Sequence, residues 1–119
     1  MSYVDGFVIP VPSDCKAEYQ AQAKAMWPLV KKHGALRVVE CWGDDLPHGK
    51  TTDFFMATKA EPGETIVFSW VIWPSKAARD TGNARIMEEW KTMSNPPPMP
   101  FDGKRMIMGG FAPIFESNT

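Results

Sequence analysis

Cysteine and histidine are scarce in this sequence, with two of each. Cys15 and Cys41 fall in different expected elements and make no Cys-x-x-Cys pair, which excludes a disulfide framework or a zinc ribbon as the source of stability. Neither has an adjacent histidine to activate a thiolate, so both read as packing residues. An excess of charge of one sign is also missing: 13 Lys and Arg against 14 Asp and Glu leave a net charge of -1. Such a chain has no general surplus of cations to displace counterions from phosphates, and nucleic acid is not expected as a partner. No apolar run approaches the roughly 18 residues of a membrane span, so no membrane partner is expected either. Tyr3-Val4-Asp5-Gly6-Phe7 has the pattern of a strand, not of a basic and then apolar leader, and a cytoplasmic location is the expectation. Glycine-rich phosphate loops and metal-ligand spacings are absent as well, so neither a cofactor nor a metal is expected.

What is present is a chain of 119 residues, 44% hydrophobic and 23% charged, enough for one packed domain over residues 1–119. Tyr3 to Val11 reads as a first strand, ended by Pro10 and Pro12. Ser13 suits a helix N-cap, and Cys15, Tyr19, Ala23, Met26 and Val30 recur at helical spacing as far as a stop at Gly34. Pro28 should kink this helix near Lys24 or end it early. Ala35 to Trp42 alternates as a second strand, Asp53 to Lys59 reads as a short extra strand, and Thr65 to Trp73 is the strongest strand pattern of all. Pro74-Ser75 opens a second helix whose core candidates are Ala78, Gly82, Ile86, Trp90 and Met93. The run from Asn95 to Pro100 excludes helix and central strand, Asp102-Gly103 is a turn, and Arg105 to Ile114 reads as the last strand, with Gly109-Gly110 marking a bulge or a close contact.

That order predicts an α+β, ferredoxin-like antiparallel sheet with two helices on one face. Two helices cover only one face, yet Leu36, Val38, Val67 and Phe68 make both faces of the strands apolar. The second face therefore needs a partner, and a second copy of the chain is the simplest one. A homodimer is the expected assembly.

Several blocks carry a resemblance to a known family: Tyr3 to Phe7, Ala35 to Trp42, Phe68-Ser69-Trp70 with Trp73 to Lys76, Met99 to Ile107, and Gly109-Gly110-Phe111. Together they resemble the YbaA-like family of small bacterial proteins, and the resemblance touches most of the chain. It implies the dimeric α/β barrel superfamily, in which ferredoxin-like subunits pack sheet against sheet. Pro96-Pro97-Pro98 and His48 depart from the charged residues usual in that family. The superfamily hosts monooxygenases, isomerases and dehydratases, so the fold does not choose a reaction.

Among single residues, Glu40 is the sharpest anomaly, a carboxylate between Val38 and Trp42 on a largely apolar strand face. It reads either as a general base or polar ligand contact with a raised pKa, or as a group paired with an arginine or solvated at a strand end. Asp5 poses the same question beside Tyr3, and if their faces coincide Tyr3, Asp5 and Glu40 converge in one cleft. Arg37 and Arg105 could offer a guanidinium to a ligand or to those carboxylates. Trp42 belongs to an aromatic set, with Phe68, Trp70, Trp73 and Phe111, that suits a planar ligand, a core or an interface. Asp44, Asp45, His48 and Asp53 match no metal motif, and His33 suits the end of a helix. The resulting expectation is a cytoplasmic homodimer with a small-molecule cavity between the sheet and its partner, lined by Tyr3, Asp5, Arg37, Glu40, Trp42 and Arg105. A cofactor-independent monooxygenase or isomerase acting on a small organic acid or aromatic compound is one alternative, and a stress-related interaction module without a ligand is another.

Overall fold

A computed structural model describes residues 2–117. Its elements are β1 (Tyr3–Pro12), α1 (Lys16–Lys32), β2 (Arg37–Trp42), α2 (Phe54–Thr58), β3 (Glu64–Trp73), α3 (Lys76–Thr92) and β4 (Ile107–Phe111), with short 3-10 turns at Ser13–Cys15 and Gly103–Arg105. The strands form one four-stranded sheet in the order β2-β3-β1-β4, with every neighbouring pair antiparallel. This is the ferredoxin-like α+β arrangement expected from the sequence.

Four local expectations need correction. Asp53 to Lys59 is not an extra strand, because the Asp53 carboxylate accepts the Met56 N–H at 2.7 Å and the Gly49 N–H at 2.9 Å, which caps the helical turn of α2. Ser13 does not cap α1: it lies in the 3-10 turn, and its N–H donates to the Gly63 carbonyl. Pro28 does not end α1, which continues to Lys32 even though proline deprives the Lys24 carbonyl of its usual donor. The last strand is only Ile107–Phe111, since Gly103–Arg105 is held in its turn by the Asp102 cap.

Register determines which side chains share a face. Asp5 lies opposite Val71 and Val71 opposite Val38; the next row is Phe7, Ser69 and Glu40, and the next is Ile9, Val67 and Trp42. These rows face α1 and α3, where Ile9, Val11, Tyr19 and Val67 form the buried core. Ser75 caps α3 by accepting the Ala78 N–H at 3.0 Å. Gly82 then seats α3, since a Cβ there would lie 2.6 Å from the His33 carbonyl oxygen and would collide with the Trp73 ring. His33 and Lys32, at the end of α1, both bond the Glu89 carboxylate at 2.8 Å and tie the helices together.

The opposite face carries Val4, Val8, Ile66, Phe68, Trp70, Ile72, Ile107 and Phe111. Helix α2 covers one end of it, where Phe54 meets Phe68 edge-on and Ile66 is fully buried. The remainder is open, with Phe68 48%, Ile107 43% and Phe111 62% exposed.

Candidate functional site

Glu40 sits in the middle of β2, facing the helices, in the same row as Ser69 and Phe7. Tyr19, one turn into α1, donates its hydroxyl to Glu40 Oε1 at 2.7 Å. The two residues lie where two cavities meet. One, of about 480 Å³, runs between the sheet and both long helices and is walled by Phe7, Met26, Trp27, Ile86, Trp90, Met99, Phe101 and Met106. The other, of about 560 Å³, lies between α1 and β2 and is lined by Lys16, Lys24, Arg37 and Trp42 among others. Both lie on the face covered by the chain's own helices; a further hollow, of about 640 Å³, lies on the open sheet face among Val4, Val8, Phe68, Trp70 and Phe111.

The single chain leaves the Glu40 residue open to solvent along the cleft. Atoms crowd its carboxyl group nonetheless, and the resulting loss of hydration raises its pKa. Hydrogen bonds from Tyr19 and Ser69 pull the other way and offset only part of the shift. The Tyr19 hydroxyl is driven up in turn, first by burial and then by the negative charge of Glu40. No salt bridge reaches Glu40 among the described residues.

Asp5 shares the face of Glu40 but not its cleft. It is buried, and its carboxylate accepts bonds from Trp73 Nε1 at 3.1 Å, Arg79 Nε at 2.9 Å and Asn83 Nδ2 at 3.2 Å. Tyr3 lies beneath Arg79, whose guanidinium carbon is 5.2 Å from the ring centre. Tyr3, Asp5 and Arg79 thus clamp α3 to β1, and the convergence of Tyr3 and Asp5 with Glu40 does not occur. Gly110 admits this clamp, since a Cβ there would come within 2.6 Å of Arg79 Nη2.

Neither sequence-selected arginine approaches Glu40. Arg105 donates to both oxygens of Glu64, at 2.6 and 2.8 Å, and to Asp102 at 3.0 Å. Its bonds to Glu64 hold that carboxyl below the ordinary value. Arg37 is exposed on β2 and lines only the cavity beside that strand. Trp42 does reach the site, 6.3 Å from the Tyr19 ring centre. His48 stacks on Phe55 at 4.8 Å and lies 3.7 Å from the Asp53 cap. Among the described residues no group of three or more His, Cys, Asp or Glu side chains is placed to hold a metal ion.

Sequence reasoning assigned Tyr19 to the core stripe of α1 and missed its bond to Glu40; its hydroxyl, on a stripe otherwise without oxygen or nitrogen, was the available signal. Ser69, the single hydroxyl within Ile66 to Trp73, was a similar signal. Nothing local marked Arg79 and Asn83 as partners of Asp5, because they are 74 and 78 residues away.

The family described as "Protein of unknown function (DUF1428)" matches residues 2–103 of this chain. The chain is 53% identical over 116 residues to the uncharacterized protein YbaA of Escherichia coli K12, which is 98% of this chain and 99% of that protein. The same identity and coverage hold for YbaA of Shigella flexneri. The structure of Rv0793 from Mycobacterium tuberculosis aligns over 99% of this chain and 100% of its own, at 14% identity and a TM-score of 0.49. The YbaA likeness read from the sequence blocks thus extends over almost the whole chain.

The raised Glu40 pKa has a signed consequence for stability. The folded chain holds the Glu40 proton more tightly than the unfolded chain does. This contribution to stability is complete below the ordinary value of 4.5 and is lost as pH rises through the folded-state pKa. Glu40→Gln removes the titration while keeping an acceptor for Tyr19. The melting temperature of E40Q relative to the parent should therefore rise across that window and then level off. A difference that stays flat from acid to neutral pH, or that falls, would contradict the desolvated carboxyl.

Proposed function

The chain belongs to the DUF1428 family of proteins of unknown function, and for it we propose a cytoplasmic homodimer in which each subunit binds a small, mostly apolar molecule in the cleft beneath α1 and α3. The observation that carries this reading is the Tyr19–Glu40 pair at the foot of a cavity of about 480 Å³ whose other walls, apart from Gln22 and Ser69, are aromatic, methionine and aliphatic side chains. That volume lies within the range of roughly 300 to 1,000 Å³ common to small-molecule sites, and a few polar groups in an apolar wall are what orient a ligand there. Methionine walls adapt to ligand shape, since the thioether chain is flexible and polarizable. Glu40 and Tyr19 would hold the ligand's polar end, with Trp27 and Trp90 against its apolar body. Two free cysteines suit the reducing cytoplasm.

Phenethylamine, phenethyl alcohol and phenylacetate are matched probes small enough for the cleft. Titrated into the nitrogen-15-labelled protein, at least one of them should shift the indole signals of Trp27 and Trp90 saturably and leave that of Trp73, sealed beneath Gly82, in place. If none moves those signals up to its solubility limit, the cleft is not a ligand site.

The dimer rests on the open sheet face. Strands β1 and β3 have 10 residues each, which at about 3.3 Å per residue gives a patch roughly 30 Å long, and four strands about 4.8 Å apart span roughly 15 Å. The flat projection of that patch is roughly 450 Å², a little over half of the roughly 800 Å² per partner of a standard interface, so the relief of its side chains and its rim would have to supply the rest. Sheet-to-sheet pairing of two copies would cover Phe68, Trp70 and Phe111 together and leave the helix-side clefts accessible. Light scattering should give twice the chain mass of 13.3 kDa, and Phe68→Arg should return the monomer mass. A monomeric parent protein at micromolar concentration would overturn the dimer, and a dimeric Phe68→Arg variant would move the interface to a sheet edge.

A further inference from the structure

We propose that the α3-side cleft selects a small organic amine, bound as its ammonium ion against Glu40 with its apolar body between the aromatic walls. This rests on the cleft being a ligand site and goes further by naming the charge class. The inference comes from an asymmetry in charge. Glu40 and Tyr19 are the only ionisable groups lining the cavity between the sheet and the two long helices, and no Lys, Arg or His side chain lines it among the described residues. The cations near Glu40, namely Lys16, Lys24 and Arg37, line the cavity on the other side, beside β2.

A carboxylate so placed has hydrogen bonds but no counter-ion. Tyr19 and Ser69 supply neutral donors, and together they fail to offset the lost hydration. A ligand bringing its own positive charge would supply what the protein omits, because an opposite charge close to a desolvated carboxylate favours the ionised form. An anionic ligand would meet Glu40 with a like charge. A neutral ligand would gain one hydrogen bond and leave the ionised form without a partner.

The surroundings favour the same class. The Tyr19 ring centre lies 6.3 Å from that of Trp42 and 5.7 Å from that of Phe101, so the carboxylate stands beside an aromatic cluster. Trp27 and Trp90 add two more π systems to the cavity wall. Aromatic faces attract cations through the ring quadrupole, and an ammonium group held by one carboxylate among such rings gains from both interactions. The wall is too apolar for a sugar or a phosphate ester. A primary to tertiary amine carrying an aryl or short alkyl body matches both the charge and the volume.

The charge series of phenethylamine, phenethyl alcohol and phenylacetate tests this directly by calorimetry and by the Trp27 and Trp90 signals. Phenethylamine should bind about tenfold more tightly than the alcohol at neutral pH, the order expected of one ion pair reinforced by a cation–π contact, and phenylacetate should bind weakest. Amine affinity should fall about tenfold per pH unit below the folded-state pKa of Glu40, where its binding must displace a proton. In Glu40→Gln the amine advantage should disappear while the alcohol still binds, which separates loss of charge recognition from loss of the cleft or of folding. If the alcohol or phenylacetate binds as tightly as the amine, or if the amine advantage survives in Glu40→Gln, the amine class is overturned with the cleft intact. If none of the three binds, the failure is that of the ligand site itself.

Discussion

An ionised carboxylate loses hydration wherever protein atoms crowd it, and among the described residues Glu40 bears that cost without a salt-bridge partner. Asp5 and Glu64 meet the same demand with guanidinium partners, Arg79 and Arg105 respectively. Glu40 has only the hydroxyls of Tyr19 and Ser69, and its pKa rises accordingly. The difference follows from position. Asp5 stands where α3 crosses the sheet and can lend an arginine, and Glu64 stands where the Asp102 turn delivers one. Glu40 stands where α1 supplies a tyrosine and where α3 supplies Ile86 and Trp90. One chain thus gives Asp5 and Glu64 guanidinium partners that fasten its elements and leaves Glu40 facing an apolar cavity.

The sheet explains why there is a cavity at all. Helices α1 and α3 are joined through Gly82, His33 and Glu89, and the Asp5–Arg79 clamp binds α3 to β1. Those ties leave between the helices a space whose floor is the row of Phe7, Ser69 and Glu40 and whose sides include Met99, Phe101 and Met106. The proline run before Met99 cannot continue α3, so this loop, not a longer helix, walls the space. On the reverse face α2 covers only one end, which leaves Phe68, Ile107 and Phe111 exposed. The proposed binding and the proposed pairing would thus use opposite faces of one sheet.

Much of this was legible in the chain because it depends on local periodicity. The alternation over Ala35 to Trp42 and Thr65 to Trp73, the helical stripe through Tyr19, Met26 and Val30, and the Ser75 cap all encode elements that form in place. The helical identity of residues 54–58 was not legible, since Phe54-Phe55 reads as strand and the deciding interaction is the Asp53 carboxylate turning back on Gly49 and Met56. Glu40 stood out because a charge interrupted an apolar face. Its lack of a cation was not legible: Arg37, three residues away on the same strand, points to the other face by simple alternation, but Arg105 could be placed only by the tertiary fold. Asp5 shows the converse. Its strand pattern resembles that of Glu40, and only Arg79, far along the chain, distinguishes a structural clamp from a site residue. Family resemblance carried the fold and no chemistry, because the relatives carry no assigned reaction.

Glu40 stands at the foot of an open cleft with its carboxyl crowded by protein atoms and, among the described residues, without a salt-bridge partner. Its carboxyl carbon, followed by carbon-13 NMR across an acid titration and assigned by comparison with Glu40→Gln, reports that state at one atom. The structure predicts an inflection above the ordinary glutamate value of 4.5, moving downward when phenethylamine is added. An inflection at or below that value in the free protein would mean that Glu40 is solvated or paired, and that the cleft holds no desolvated carboxyl.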